Sequence, residues 1–97
     1  YDLKPAATTI KGFHDADRPV AYIGKYHGEF HFLGRLERPL TVLNSMGEGF
    51  DWARENPTGV VVATLRESNI PPGGPPLSVQ PYRGKVLAMW NAPNFLP

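Results

Sequence analysis

The chain contains no cysteine, which removes disulfide staples, thiol catalysis and cysteine-ligated zinc from its chemistry. It also lacks long apolar runs. Val60-Val61-Val62-Ala63 and Val86-Leu87-Ala88-Met89-Trp90 stop far short of the roughly 20 residues that a membrane-crossing helix needs. Charge of one sign is scarce as well: ten basic residues face nine acidic ones for a net +1, with no basic stripe of the kind that nucleic-acid binding requires. The amino end, Tyr1-Asp2-Leu3-Lys4-Pro5, has no apolar segment of signal-peptide type and no initiating Met, so the chain reads as a piece cut from a longer protein. At 97 residues there is material for one domain with one thin core.

What is present alternates between helical and strand-like segments. Asp2 is placed to cap a first helix, with Pro5 tolerated in its first turn. Leu3, Ala6, Ala7, Ile10 and Phe13 then recur at spacings of three and four, an amphipathic stripe that ends at Asp15–Pro19. Pro19–Ile23 predicts a first strand whose apolar residues are continuous, as in a strand covered on both faces. It stops at Gly24, and the aromatic segment from Gly28 to Leu36 predicts a short helix with Phe30 and Leu33 turned inward and Phe32 a further candidate for that face. Leu40–Leu43 predicts a second strand. Ser45 and Glu48 have the spacing of a capping box for a helix ended by Asn56-Pro57, and Gly59–Leu65 predicts a third strand. Arg66–Pro81, with its Ile70-Pro71-Pro72-Gly73-Gly74-Pro75-Pro76 core, reads as a flexible, exposed Pro/Gly-rich loop. Lys85–Trp90 closes the series as a last strand, free to pair antiparallel with the third, and Ala92–Pro97 trails off. The order predicts a single α/β domain over residues 1–97, a two- or three-layer sandwich whose sheet has about four mostly parallel strands.

The chemistry-bearing residues give no catalytic set. His27 and His31 are four apart, but Glu29 between them does not make H-E-x-x-H, and no spacing points to the third ligand that zinc requires. No metal and no cofactor are implied. Gly24-Lys25-Tyr26-His27-Gly28 is neither a P-loop nor a dinucleotide loop. Even so, Lys25, Tyr26 and His27 lie at the carboxyl end of a strand, where open α/β sheets bind ligands. Against that stands the plainer reading, in which the two glycines only permit a tight turn. Arg35 and Arg38 have the chemistry to meet a phosphate or an anionic head group, or else to pair with surface acids such as Glu37. Trp52 and Trp90 fall on elements that should supply the core, which makes burial their default over sugar stacking. Asp15, Asp17, Asp51 and Glu55 are scattered, and no Ser-His-Asp order emerges.

Several phrases nevertheless resemble one protein group. They are Tyr1-Asp2-Leu3-Lys4-Pro5-Ala6-Ala7, Arg18-Pro19-Val20-Ala21, Gly24-Lys25-Tyr26-His27-Gly28, Phe30-x-Phe32-Leu33-Gly34-Arg35-Leu36, Pro39-Leu40 and Tyr82-Arg83-Gly84-Lys85. Together they resemble the carboxyl-terminal domain of bacterial membrane glycosyltransferases related to aminoarabinose transferase and to protein O-mannosyltransferases. The resemblance implies an α/β domain on the periplasmic side of the inner membrane, attached to a membrane-embedded part of the same polypeptide. That part takes a sugar from a polyprenyl-phosphate carrier and passes it to lipid A or to a protein hydroxyl. Its catalytic acids lie on loops between early membrane helices, outside this chain, so the resemblance implies no catalytic residue here. Ile70–Pro76 has no match in the family pattern.

Two other readings stay open. One is a free-standing α/β module that binds a phosphate or sugar through Lys25, Tyr26, His27 and the helix start after Gly28. The other is an interaction platform using Pro72-Gly73-Gly74-Pro75, whose glycines work against a stiff polyproline helix.

Overall fold

A computed structural model describes residues 2–26 and 28–97. The first helix, α1 (Lys4–Asp15), is opened by Asp2, whose carboxylate accepts the Lys4 N–H at 2.9 Å. Its inner stripe is the one its spacing predicts: Leu3, Ala6, Ala7 and Ile10 are buried, with Phe13 packed against them. Strand β1 (Val20–Ile23) follows, then α2 (Glu29–Gly34), β2 (Thr41–Leu43), α3 (Met46–Glu55) and β3 (Val60–Leu65). The N-cap half of the capping box forms: Ser45 Oγ accepts the Glu48 N–H at 3.2 Å, and the Ser45 hydroxyl donates to Glu48 Oε2 at 3.4 Å.

β1 lies between β2 and β3 and is parallel to both, in registers running from Ala21 opposite Thr41 and from Val20 opposite Val60. The remaining strands, β4 (Ser78–Tyr82) and β5 (Lys85–Asn91), form a hairpin, and β5 joins β3 antiparallel with Val60 opposite Asn91. The sheet is therefore five-stranded and mixed, in the order β2-β1-β3-β5-β4. This corrects the expectation of about four mostly parallel strands. The connection 66–77 carries the chain past one strand position to β4, which runs the same way as β3, and β5 returns across a two-residue turn to fit antiparallel between them.

Helices cover both faces of the sheet. Val60, Val62, Leu87 and Met89 meet α1 and α2 on one side, while Val61, Ala63, Ala88 and Trp90 meet α3 and a last short helix, α4 (Ala92–Phe95), on the other. Apolar runs without alternation follow directly, because neither face of β1, β3 or β5 is wet. Trp90 is fully buried, edge-on to Phe95 at 5.1 Å, and Trp52 packs partly buried against the same cluster. Ala92–Pro97 thus does not trail off, since Ala92 and Phe95 are core residues.

The segment read as one loop over Arg66–Pro81 ends early, because residues from Ser78 onward belong to β4. Pro81 sits opposite Val86 at the outer edge of the sheet, where its missing N–H costs no ladder bond. Before it, Glu67–Asn69 makes a single 3-10 turn and Ile70 packs against the α3–α4 core. Gly74 N–H donates to Asn94 O at 2.9 Å, and the backbone of Leu96 leaves no room for a Cβ at Gly73. At the amino end of the parallel strands, Arg18 ties three elements together: its Nε donates to Thr58 O at 2.8 Å, and Nη2 donates to Asn91 Oδ1 and Gly59 O. Among the described residues no helix is long and apolar enough to cross a membrane.

Candidate functional site at the carboxyl ends of β1 and β3

The chain leaves β1 toward β2 through α2 on one face of the sheet and returns from β2 to β3 through α3 on the other. Between β1 and β3 the connections therefore part to opposite sides, and such a divergence opens a crevice at the carboxyl ends of the strands. A cleft of about 370 Å³ lies there. Its floor is Tyr22 from β1 and Thr64 from β3, whose hydroxyls share a hydrogen bond of 2.8 Å. Burial holds the Tyr22 phenol above its ordinary pKa; the bond to Thr64 opposes that shift, while the nearby Glu29 and Tyr82 reinforce it. The phenol stays protonated at neutral pH and acts as a hydrogen-bonding group, not as a base.

Gly24, at φ 125°, turns the backbone out of β1 and puts Lys25 on the cleft wall. The opposite wall is the tip of the β4–β5 hairpin, with Tyr82, Arg83 and Lys85. Tyr82 pairs with Lys85 across a two-residue turn in which Arg83 has φ 50° and Gly84 φ 76°. Positive φ at both central positions is the type I′ geometry that matches strand twist, and it suits Asn-Gly far better than Arg-Gly. The Arg83 guanidinium lies over the Tyr82 ring at a centroid distance of 5.3 Å, inside the cation–π reach of about 6 Å. Glu29, in the first turn of α2, adds a carboxylate to the lining.

A second trough of about 280 Å³ shares Glu29, Tyr82 and Arg83 with this cleft and continues over Leu3, Phe32 and Leu33. Phe32 is 84% exposed, whereas Phe30, two residues earlier on α2, is 1% exposed in the core. The two hollows thus adjoin at Glu29, Tyr82 and Arg83, one lined by cations and the other largely apolar.

Of the residues singled out from the sequence, Lys25 borders the cleft. Tyr26 turns to the α1–α2 side, where its ring stacks on Phe30 at 5.9 Å and its hydroxyl bonds to His31. His27 lies outside the described residues. Arg35 follows α2 at φ 52° and is exposed. Arg38 pairs with Asp17 at 2.9 Å, beside the amino ends of β1 and β2 and so at the far end of the sheet from Lys25. Among the described residues no group of three His, Cys, Asp or Glu could hold a metal.

Thr64, Tyr82, Arg83 and Lys85 were not legible as site residues. They come from β3 and from the β4–β5 hairpin, which only the folded sheet brings to the end of β1, and the one local signal is Arg83-Gly84 between two β-capable segments. The cleft supplies positive charge, phenols, a hydroxyl and the Glu29 carboxylate, and its cations can hold an anion. Comparisons of the chain with protein-family profiles, with curated proteins and with solved structures return no match.

Proposed function

We propose that this chain is a non-catalytic accessory domain of a polyprenyl-phosphate-dependent membrane glycosyltransferase, on the periplasmic side of a bacterial inner membrane. Its partner is the membrane-embedded part of the same polypeptide, and its role is to shape the approach of the acceptor, lipid A or a protein, to the catalytic loops.

One observation carries the reading. The phrases that resemble this family are far apart in sequence, yet Leu3, Gly24-Lys25, Phe32-Leu33, Tyr82-Arg83 and Lys85 supply most of the lining of two adjoining hollows. That they meet there supports reading these hollows as part of what the phrases share. The cleft's lining of cations, phenols and a hydroxyl suits a domain that holds a ligand while chemistry is done elsewhere.

Deleting residues 1–97 from the full polypeptide and measuring sugar transfer in membranes tests the proposal. Reduced transfer, or transfer to fewer acceptors, is expected. Undiminished transfer to every acceptor refutes it.

A further inference from the structure

We infer that the groove is a phosphate-ester site, with Lys25, Arg83 and Lys85 around the phosphate and the trough beside Phe32 under the remainder of the ester. The inference goes beyond the accessory role proposed above and does not rest on it, because the 97-residue chain can hold such a ligand whatever it is attached to.

Three observations lead to it. First, three cations and one carboxylate line a single cleft of about 370 Å³ in a chain whose net charge is only +1. The volume falls in the range of small-molecule sites, and the place is a topological switch point. Lysines supply point charge to a phosphate, and a guanidinium supplies a fork that binds two of its oxygens.

Second, Arg83 occupies a left-handed turn position at φ 50°, where Asn would sit with less strain. Only the guanidinium distinguishes Arg from that more comfortable residue, and the turn holds it at the cleft.

Third, the apolar trough adjoins the cationic cleft at Glu29, Tyr82 and Arg83, and Phe32 is exposed beside it. A bare anion would leave that surface wet. An ester with an apolar face covers it.

A phosphate ester can be a soluble metabolite or a lipid head group, and the test separates the two. Amide spectra of the chain are recorded with phenyl phosphate and with inorganic phosphate, and its sedimentation is measured with phosphatidylcholine vesicles with or without phosphatidic acid. Saturable shifts at Gly24, Lys25, Thr64 and Arg83–Lys85 are expected, with phenyl phosphate bound more tightly than inorganic phosphate. Arg83→Asn should keep the native spectrum and weaken binding about tenfold, the loss of a charge-assisted pair. Lys85→Gln should weaken it as well, and Phe32→Ser should erase only the advantage of the phenyl group.

Sedimentation that depends on phosphatidic acid and is lost in Arg83→Asn assigns the ester to a lipid head group. Saturable shifts without sedimentation assign it to a soluble ester. No saturable shift and no phosphatidic-acid dependence would overturn the inference, as would undiminished binding by both Arg83→Asn and Lys85→Gln. Failure here leaves the domain-deletion result standing, because this titration reads the groove alone.

Discussion

Tyr26 and His31 are fastened through one phenol oxygen that works in both directions. It accepts the His31 backbone N–H at 3.0 Å and bonds to the ring at Nδ1. The other ring nitrogen, Nε2, lies 2.9 Å from Arg38 O, and a carbonyl can only accept. Nε2 therefore carries the proton, Nδ1 is the acceptor, and the phenol donates to it. This chain of bonds pins the turn after β1 to α2, and α2 to the segment entering β2. The cleft wall at Lys25 is held by its neighbour's grip on the opposite side of the backbone.

Tyr26→Phe keeps the ring that stacks on Phe30 and removes only the oxygen. It strands a backbone donor and a ring acceptor, so a loss of about 1–2 kcal/mol is expected in urea denaturation. An unchanged midpoint would mean that water replaces the phenol at no cost.

Phe30 and Phe32 lie on the same short helix with opposite fates, at 1% and 84% exposure. Phe30→Ala is expected to cost about 3–5 kcal/mol, because it empties a site among Tyr22, Tyr26 and the α1 stripe. A domain of this size has only about 5–15 kcal/mol in total, so that variant should be near unfolding. Phe32→Ala should stay within about 0.5 kcal/mol. Thermal melts of the two variants make the comparison, and equal losses would contradict the burial seen here.

Which parts of this architecture were legible follows from how much each element depends on distant contacts. β1 and β3 announce themselves as unbroken apolar runs because helices cover both faces, and the stripe of α1 and the Ser45–Glu48 box are local signals. β4 was hidden because its residues are mostly exposed and it contains Pro81, which is tolerated only because β4 is an edge. α4 was hidden because four residues carry no periodicity; its place is set by Phe95 packing on Trp90. The site divides in the same way. Gly24-Lys25 was visible as the end of a strand, but the opposing Arg83 and Lys85 lie about 60 residues on and reach it only because β5 pairs with β3.

Arg18 offers a test of how the amino end of the sheet is closed. Its guanidinium reaches Thr58 O, Gly59 O and Asn91 Oδ1 while lying over the Phe13 ring at 5.1 Å. Lysine keeps the charge but cannot span these acceptors with one planar fork. Arg18→Lys is expected to lower stability by about 1–3 kcal/mol and to speed hydrogen exchange at Val60 and Ala92, whose amides bond to Pro19 O and Gly59 O beside it. Slowed or unchanged exchange at both amides would assign the closure to the backbone alone.

His14 should make the fold sensitive to mild acid. It is 5% exposed on α1, and its Nδ1 finds no hydrogen-bond partner among the described residues. Burial disfavours the imidazolium, the positive charge of Arg38 and the neighbouring His31 oppose it further, and Asp15 favours it only in part. The folded-state pKa therefore lies below the ordinary 6.5. An unfolded chain takes up this proton near pH 6.5 and the folded chain resists it, so the contribution is complete above that pH and is lost as pH falls through the folded value. The urea midpoint should hold steady near neutrality and begin to drop below about pH 6.5, before most carboxylates titrate near about pH 4. His14→Leu fills the same apolar surroundings without a titrating group, and its midpoint should stay level across that interval. If the variant drops in parallel with the native chain, another group carries the acid sensitivity.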